Sequence, residues 1–198
     1  HEYVPLDLVA EEIRLVVLLS AKNRSDPLYA HFAHESIYGN VAYQCLSYTW
    51  GTDEKTSELT LNGMTIAIRK NLENALRGLR NETSKTTIWI DAICIDQRNV
   101  KERSRQVSRM HQIYENADGV LVWLGEADED SDLALDFIAS KFRGRATESD
   151  FGSLHSTQAN TASRRAHLWA AVYRLLQRPY FRRMWVVQEI AAASLPTV

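Results

Sequence analysis

Near the end of this 198-residue chain, Arg182, Trp185 and Glu189 stand three and four positions apart. On a helix over residues 181–193 they share one face. A Trp one turn ahead of a Glu sets an apolar wall beside a carboxylate. Such a wall raises the carboxylate's pKa or gives a ligand ring a stacking surface. The same spacing also suits an amphipathic helix with its Trp in the core and an ion pair at its edge, and spacing alone leaves both readings open. Asp91, inside the apolar run Thr86–Ile95, is a second candidate. A buried carboxylate is costly unless paired or hydrogen-bonded. Asp91 therefore either serves a structural partner, such as an Arg on a neighbouring helix, or is the acid of a ligand site. Asp96, at the end of the run, either faces a ligand or caps the next turn.

Other chemistries find no foothold in the sequence. His31 and His34 fall on opposite faces of a strand, and no Cys-x-x-Cys or His-x-x-x-His pair occurs, so no metal is expected. The acidic stretch Asp128–Asp132 lacks the Gly and Glu that a calcium loop needs at its sixth and twelfth positions. It reads as a solvated loop whose Ser131 or Asp132 caps the following helix. Neither common glycine-rich phosphate loop is present, and no cofactor is called for. Lys plus Arg is 23 and Asp plus Glu is 25, a net charge of −2. Nucleic acid therefore finds no basic field to release counterions. No apolar run reaches the ~20 residues needed to span a bilayer. Cys45 and Cys94 each sit in an apolar run and are expected as buried, reduced thiols, which suits a cytoplasmic protein.

The elements that must position these residues follow from periodicity. Strands are expected at Ile13–Leu18, Leu28–Ser36, Tyr43–Tyr48, Thr86–Ile95 and Val120–Leu124, with a hairpin about Asn62-Gly63. Helices are expected at Leu72–Arg80 capped by Asn71, at Lys101–Ala117, at Leu133–Phe142 and from about Ala162, with Pro179 ending the last. Alternating strand and helix predicts an α/β fold, with a mainly parallel sheet flanked by helices and antiparallel N-terminal strands added. Ligands bind at the carboxyl ends of such strands, which here carry Ser47–Asp53, Asp96–Asn99 and Gly125–Asp128. We expect a single domain over residues 1–198, its core at about 43–193 and a β extension at 1–42. The opening His1 suggests a piece of a longer chain.

Three blocks resemble the HET domain of fungal heterokaryon-incompatibility proteins. The first is Tyr43-Gln-Cys-Leu-Ser-Tyr-Thr-Trp-Gly51. The second runs from Ile88-Trp-Ile-Asp-Ala-Ile-Cys-Ile-Asp-Gln97 through Asn99, Glu102, Arg103, Gln106, Met110, Ile113, Tyr114 and Ala117 to Val122-Trp-Leu-Gly125. The third is Arg178-Pro-Tyr-Phe-Arg-Arg-Met-Trp-Val-Val-Gln-Glu189. Tyr3-Val-Pro-Leu6 and Ile13-Arg-Leu15 resemble the usual lead-in. Cys45 stands where Ala is usual, and Tyr180 where Trp is usual. The resemblance implies a role in triggering cell death when incompatible hyphae fuse.

HET domains are in turn distantly similar to TIR domains, which have a flavodoxin-like sheet and in many cases hydrolyse NAD+ with one Glu. That Glu lies four residues after a Trp, as Glu189 follows Trp185, although Val186 stands where TIR domains usually have Cys. The resemblance thus implies Glu189 as the catalytic carboxylate and Trp185 as packing for the ribose or nicotinamide. Ser47, Tyr48, Trp50 and Gly51 would line the opposite wall, with Arg182 or Arg183 on a phosphate. It implies NAD+ or a related nucleotide as substrate and self-association on activation. The rival reading is a non-enzymatic death-signalling module that self-associates or recruits a partner.

Overall fold

Three of the expected strands come together as parallel neighbours in the computed structural model, which describes residues 2–51, 56–142, 158–183 and 196–197. Strands β1 (Glu12–Leu18), β2 (Tyr29–Ser36), β3 (Gln44–Tyr48), β4 (Ser57–Leu61), β5 (Met64–Ile68), β6 (Thr86–Trp89), β7 (Gly119–Trp123) and the two-residue β8 (Pro196–Thr197) form one sheet. Their order is β5-β4-β2-β1-β6-β3-β7-β8. β3 pairs in parallel with both β6 and β7. β1 is antiparallel to β2 and to β6, and β4 is antiparallel to β5. The sheet is therefore the expected α/β type. One added pairing, β2 with β4, is parallel rather than antiparallel. The β4–β5 turn is the expected Asn62-Gly63, with φ of 51° and 76°, the left-handed pair that a tight hairpin demands.

Side-chain alternation assigns the two faces of the parallel strands. Cys45 is in register with Trp89 and Val120, so all three share one face. Helices α3 (Val100–Ser108) and α4 (Met110–Glu115) follow β6. Tyr114 of α4 stands edge-on to the fully buried Trp89 at 5.7 Å. The Tyr43 hydroxyl donates to the Ile113 carbonyl at 2.7 Å. On the opposite face, α1 (Lys70–Leu79) meets Trp123. A Cβ at Gly78 would lie 3.1 Å from that indole ring. Both tryptophans thus meet covering helices, as large aromatics in sheet strands do.

Two helices depart from expectation. The run Lys101–Ala117 is broken at Arg109, whose φ of −108° and ψ of 2° leave the helical region. Val107 is 38% exposed, and Gln106 beside it is buried. Asn99 caps α3 by accepting the Glu102 N–H at 3.2 Å. Thr86–Ile95 is likewise not one strand. β6 stops at Trp89, and Asp91–Cys94 forms a helical turn, α2.

The reason lies in β1. Arg14 is 1% exposed, and a buried guanidinium needs acceptors, which its two terminal nitrogens find. It donates to both carboxylate oxygens of Glu102, to the Cys94 carbonyl at 3.0 Å and to the Val4 carbonyl at 2.6 Å. Its face stacks 4.8 Å from the Tyr3 ring, whose hydroxyl donates to the Ile93 carbonyl at 2.9 Å. The carbonyls of residues 93 and 94 reach these donors from a helical turn. Cys45 and Cys94 are buried thiols with no disulfide between them, and burial pushes Cys94 up to about 12.

The chain divides into two compact units, His1–Gly125 with Arg183–Val198, and Glu126–Arg182. The second unit holds α5 (Ser131–Phe142), α6 (Gln158–Leu176) and a 3-10 turn at Pro179–Arg182. Phe137 packs edge-on to Trp169 at 5.4 Å. Arg178 donates to Asp128 at 2.8 Å and to Ser131 at 2.7 Å. Asp128 and Ser131 together tie down the entry to α5: Asp128 accepts the Asp130 N–H and the Ser131 hydroxyl, and Ser131 Oγ accepts the Asp128 N–H at 2.8 Å. Arg178, then Ser131, hold its carboxyl down to about 2. Among the described residues no helix is long and apolar enough to cross a membrane.

These ion pairs make the fold acid-sensitive in a defined window. Burial alone would raise the Glu102 pKa, but the Arg14 guanidinium and the Asp96 N–H hold it below the usual range. Burial likewise opposes Lys70, Ser57 and Arg77 at Glu73, and the three donors prevail, at about 2. A depressed carboxylate stabilises the folded state above its unfolded pKa of ~4.3 and loses that contribution as pH falls toward the folded value. The melting temperature should hold from neutral pH to about pH 5 and fall between about 4.5 and 2. Arg14→Ala, which strands Glu102, should cost ~3–5 kcal/mol in denaturant unfolding. A melting temperature flat down to pH 2.5 would contradict this assignment.

Candidate functional site

At the carboxyl end of β3 the chain leaves the sheet as Thr49-Trp50-Gly51, and three side chains from other elements hold that turn. The Trp50 indole Nε1 donates to Asp91 Oδ1 and Oδ2 at 3.1 and 3.0 Å. Asp91 Oδ1 also accepts the Ala92 N–H at 2.7 Å, which fixes the carboxylate at the first residue of α2. Arg69, the residue from which α1 begins, donates to the Gly51 carbonyl. Asn71 Nδ2 donates to the Thr49 carbonyl at 2.6 Å, while Asn71 Oδ1 accepts the Trp123 indole N–H at 2.9 Å. Gly51 has φ of 76°, which an L side chain adopts only under strain. The turn is thus clamped from α2 and the start of α1 at once, with Asn71 of α1 anchored in turn on Trp123 of β7.

Tyr48, the last residue of β3, is 2% exposed. Burial pushes its hydroxyl far above the usual phenol range, Asp91 adds to the rise, and Arg183 and Arg69 oppose it. Tyr48, Asp91, Arg69 and Arg183 therefore share one electrostatic neighbourhood. It lies at the carboxyl ends of β3 and β6, in a parallel trio ordered β6-β3-β7, which is where doubly wound sheets bind ligands.

The expected site residues divide accordingly. Tyr48, Trp50, Gly51, Asp91 and Arg183 come together. Ser47 is 1% exposed and, one residue from Tyr48 on a strand, faces the other side of the sheet. Asp96 caps its own turn, accepting the Arg98 N–H at 3.0 Å. Arg182 belongs to the second unit, where it donates to Gln177 at 3.4 Å. Trp185 and Glu189, with the final helix expected at 181–193, lie outside the described residues beyond Arg183. Asp91 is not a strand residue, as the apolar run had suggested. Its half-buried carboxylate heads a helical turn and accepts an indole.

Arg69 and Asn71 were not foreseen as site residues. Asn71 had been read as the cap of the following helix, but α1 starts at Lys70, and Asn71 turns its amide toward Thr49 and Trp123 instead. The sequence signal for Arg69 is only its position, one residue after a buried hairpin strand and before a helix. Among the described residues no group of three or more His, Cys, Asp or Glu side chains is placed to hold a metal ion.

The class is that of a mixed α/β sheet with a polar cluster at the carboxyl end of the middle strand of its parallel trio. The family model "Heterokaryon incompatibility protein (HET)" matches residues 43–189, and this chain belongs to that family. Heterokaryon incompatibility protein 6, OR allele, of Neurospora crassa is 28% identical over a 231-residue alignment covering 98% of this chain and 34% of that protein. The chain thus spans about a third of the length of that curated relative. No solved structure matches it.

The Trp50–Asp91 contact is open to a direct check. Asp91→Asn keeps the shape but offers one acceptor oxygen in place of two and no charge, so the Trp50 indole N–H resonance should move upfield. The change should cost ~1–3 kcal/mol, as weakening a charge-assisted hydrogen bond does. An indole spectrum identical to wild type would show that Asp91 does not hold Trp50.

Proposed function

We propose that this domain is a heterokaryon-incompatibility cell-death effector that hydrolyses the nicotinamide–ribose bond of NAD+. The observation that carries this reading is the clamped Trp50, held on Asp91 beside Tyr48, Arg69 and Arg183 at the carboxyl end of β3. It offers a flat ring for stacking, a fixed carboxylate and cations suited to phosphate, gathered on a flavodoxin-like strand order. The Trp185–Glu189 spacing of TIR enzymes supplies the remaining group.

In this reading the bond from ribose C1′ to the nicotinamide nitrogen breaks, and its electron pair leaves with nicotinamide. Glu189 lies against the ribose and stabilises the oxocarbenium-like charge at C1′. Water adds to C1′ and loses one proton, giving ADP-ribose, nicotinamide and H+. Trp185 packs the ribose or nicotinamide, and Arg183 holds a phosphate. The reaction runs in the cytoplasm, and self-association switches it on.

A second reading, non-enzymatic death signalling by self-association, is favoured by one feature of α6. Trp169, Tyr173 and Leu176 recur at four and three positions and are 61%, 64% and 47% exposed. In that reading a second copy of the chain covers the stripe.

Glu189→Gln separates the two. It keeps the side chain's shape and removes the charge, so nicotinamide release by clustered protein should fall ~10²–10³-fold, as loss of an electrostatic stabiliser does, with an unchanged melting temperature. Killing of fungal cells should fall with it. A Glu189→Gln protein that kills as wild type does would sink the enzymatic reading and leave the signalling one.

A further inference from the structure

Two donors at the carboxyl end of β3 have capacity to spare among the described residues. The Tyr48 ring is 2% exposed, yet among the described residues its hydroxyl makes no hydrogen bond. A phenol hydroxyl can donate one hydrogen bond, and this one is available to a ligand. Arg69 donates to the Gly51 carbonyl, which is the only acceptor it has among the described residues. A guanidinium carries five N–H donors in a planar fork. One nitrogen aims the group, and among the described residues the rest of the fork meets no acceptor, which suits it to a ligand. Asp91, the nearby carboxylate, is engaged with the Trp50 indole and the Ala92 N–H.

Both donors border the same turn. Arg69 grips Gly51, Tyr48 ends the strand that leads into it, and the clamped Trp50 ring stands between them in the chain. The charges of Arg69 and Arg183 both reach Tyr48. The Tyr48 phenol stays protonated throughout the physiological range, so toward an anion it is a donor only. Two cations and one neutral donor beside an aromatic face suit a phosphorylated ligand carrying a ring. A planar fork pairs with two oxygens of one phosphate, as a lysine ammonium does not. A lone carboxylate would need only one of these cations.

We propose that Arg69 and Tyr48 form a subsite for the pyrophosphate of a dinucleotide, with Arg69 bidentate on one phosphate and Tyr48 donating to the same group. The inference rests on the NAD+ reading for the identity of the dinucleotide, and it adds a phosphate-binding residue that neither the sequence motifs nor the family match singled out.

The test measures binding by calorimetry with the full chain and two probes, ADP-ribose, which carries the pyrophosphate, and nicotinamide riboside, which has no phosphate. Wild-type protein should bind ADP-ribose. Arg69→Gln should weaken that binding about 10–100-fold, the range for a hydrogen bond to a charged group, and Tyr48→Phe about 5–10-fold. Neither change should alter the affinity for nicotinamide riboside. Should Arg69→Gln fail to fold, Arg69→Lys keeps the charge and a donor for Gly51 but loses the fork, and about tenfold weaker ADP-ribose binding is expected. Equal losses for both probes, or unchanged ADP-ribose affinity in either Arg69 variant, would overturn the subsite. So would a wild-type protein that does not bind ADP-ribose. Wild-type binding that depends on Arg69, without any nicotinamide release from NAD+, would leave the subsite standing and reject the hydrolase reading.

Discussion

A single charge buried inside an apolar strand dictates much of the first unit. Arg14 sits in β1 between Ile13 and Leu15, which are 1% and 0% exposed, and cannot reach water. Its guanidinium must therefore be met by protein, and the sequence supplies Glu102, the carbonyls of Val4 and Cys94 and the ring of Tyr3. Those groups come from the N-terminal lead-in, the end of α2 and the first turn of α3. One buried fork thus ties three separate segments to the sheet. Removing either partner of such a pair is far more damaging than losing a surface ion pair, because the other charge stays buried.

The consequence for the site is geometric. Because the residues after Trp89 turn helical to present their carbonyls to Arg14 and Tyr3, Asp91 leaves the sheet plane at the start of that turn. There its carboxylate receives the Trp50 indole. The second clamp works from the other side of β3, where Asn71 links the Thr49 carbonyl to Trp123 of β7. The turn after β3 is therefore rigid before any ligand arrives, and a preformed site spends less binding energy on ordering itself.

The sheet was legible because its signals are local. Asn62-Gly63 sets the hairpin, and the short buried runs ending at Tyr48 and Trp123 have one reading in an alternating chain. Thr86–Ile95 was misread because a continuous apolar run has the same pattern in a buried strand and in a buried helical turn. The fact that decides it, the Arg14–Glu102 pair, joins residues 88 positions apart. The break at Arg109 has no Gly or Pro to announce it. Asn71 illustrates a smaller failure. A helix start two residues earlier than expected converts a cap into a bridge between two strands. Within the site, Tyr48 and Trp50 could be named from their position at a strand end and Asp91 from the cost of a carboxylate inside an apolar run, whereas Arg69 acquires its role only through the Gly51 carbonyl.

The central claim is that this constellation serves the cleavage of a dinucleotide. Its most direct test is a mass balance by proton NMR on clustered wild-type protein incubated with NAD+. The account predicts that NAD+ signals decay while nicotinamide and ADP-ribose grow in equal amounts, one of each per NAD+ lost. NAD+ that persists unchanged beside protein shown to be folded and clustered would contradict it.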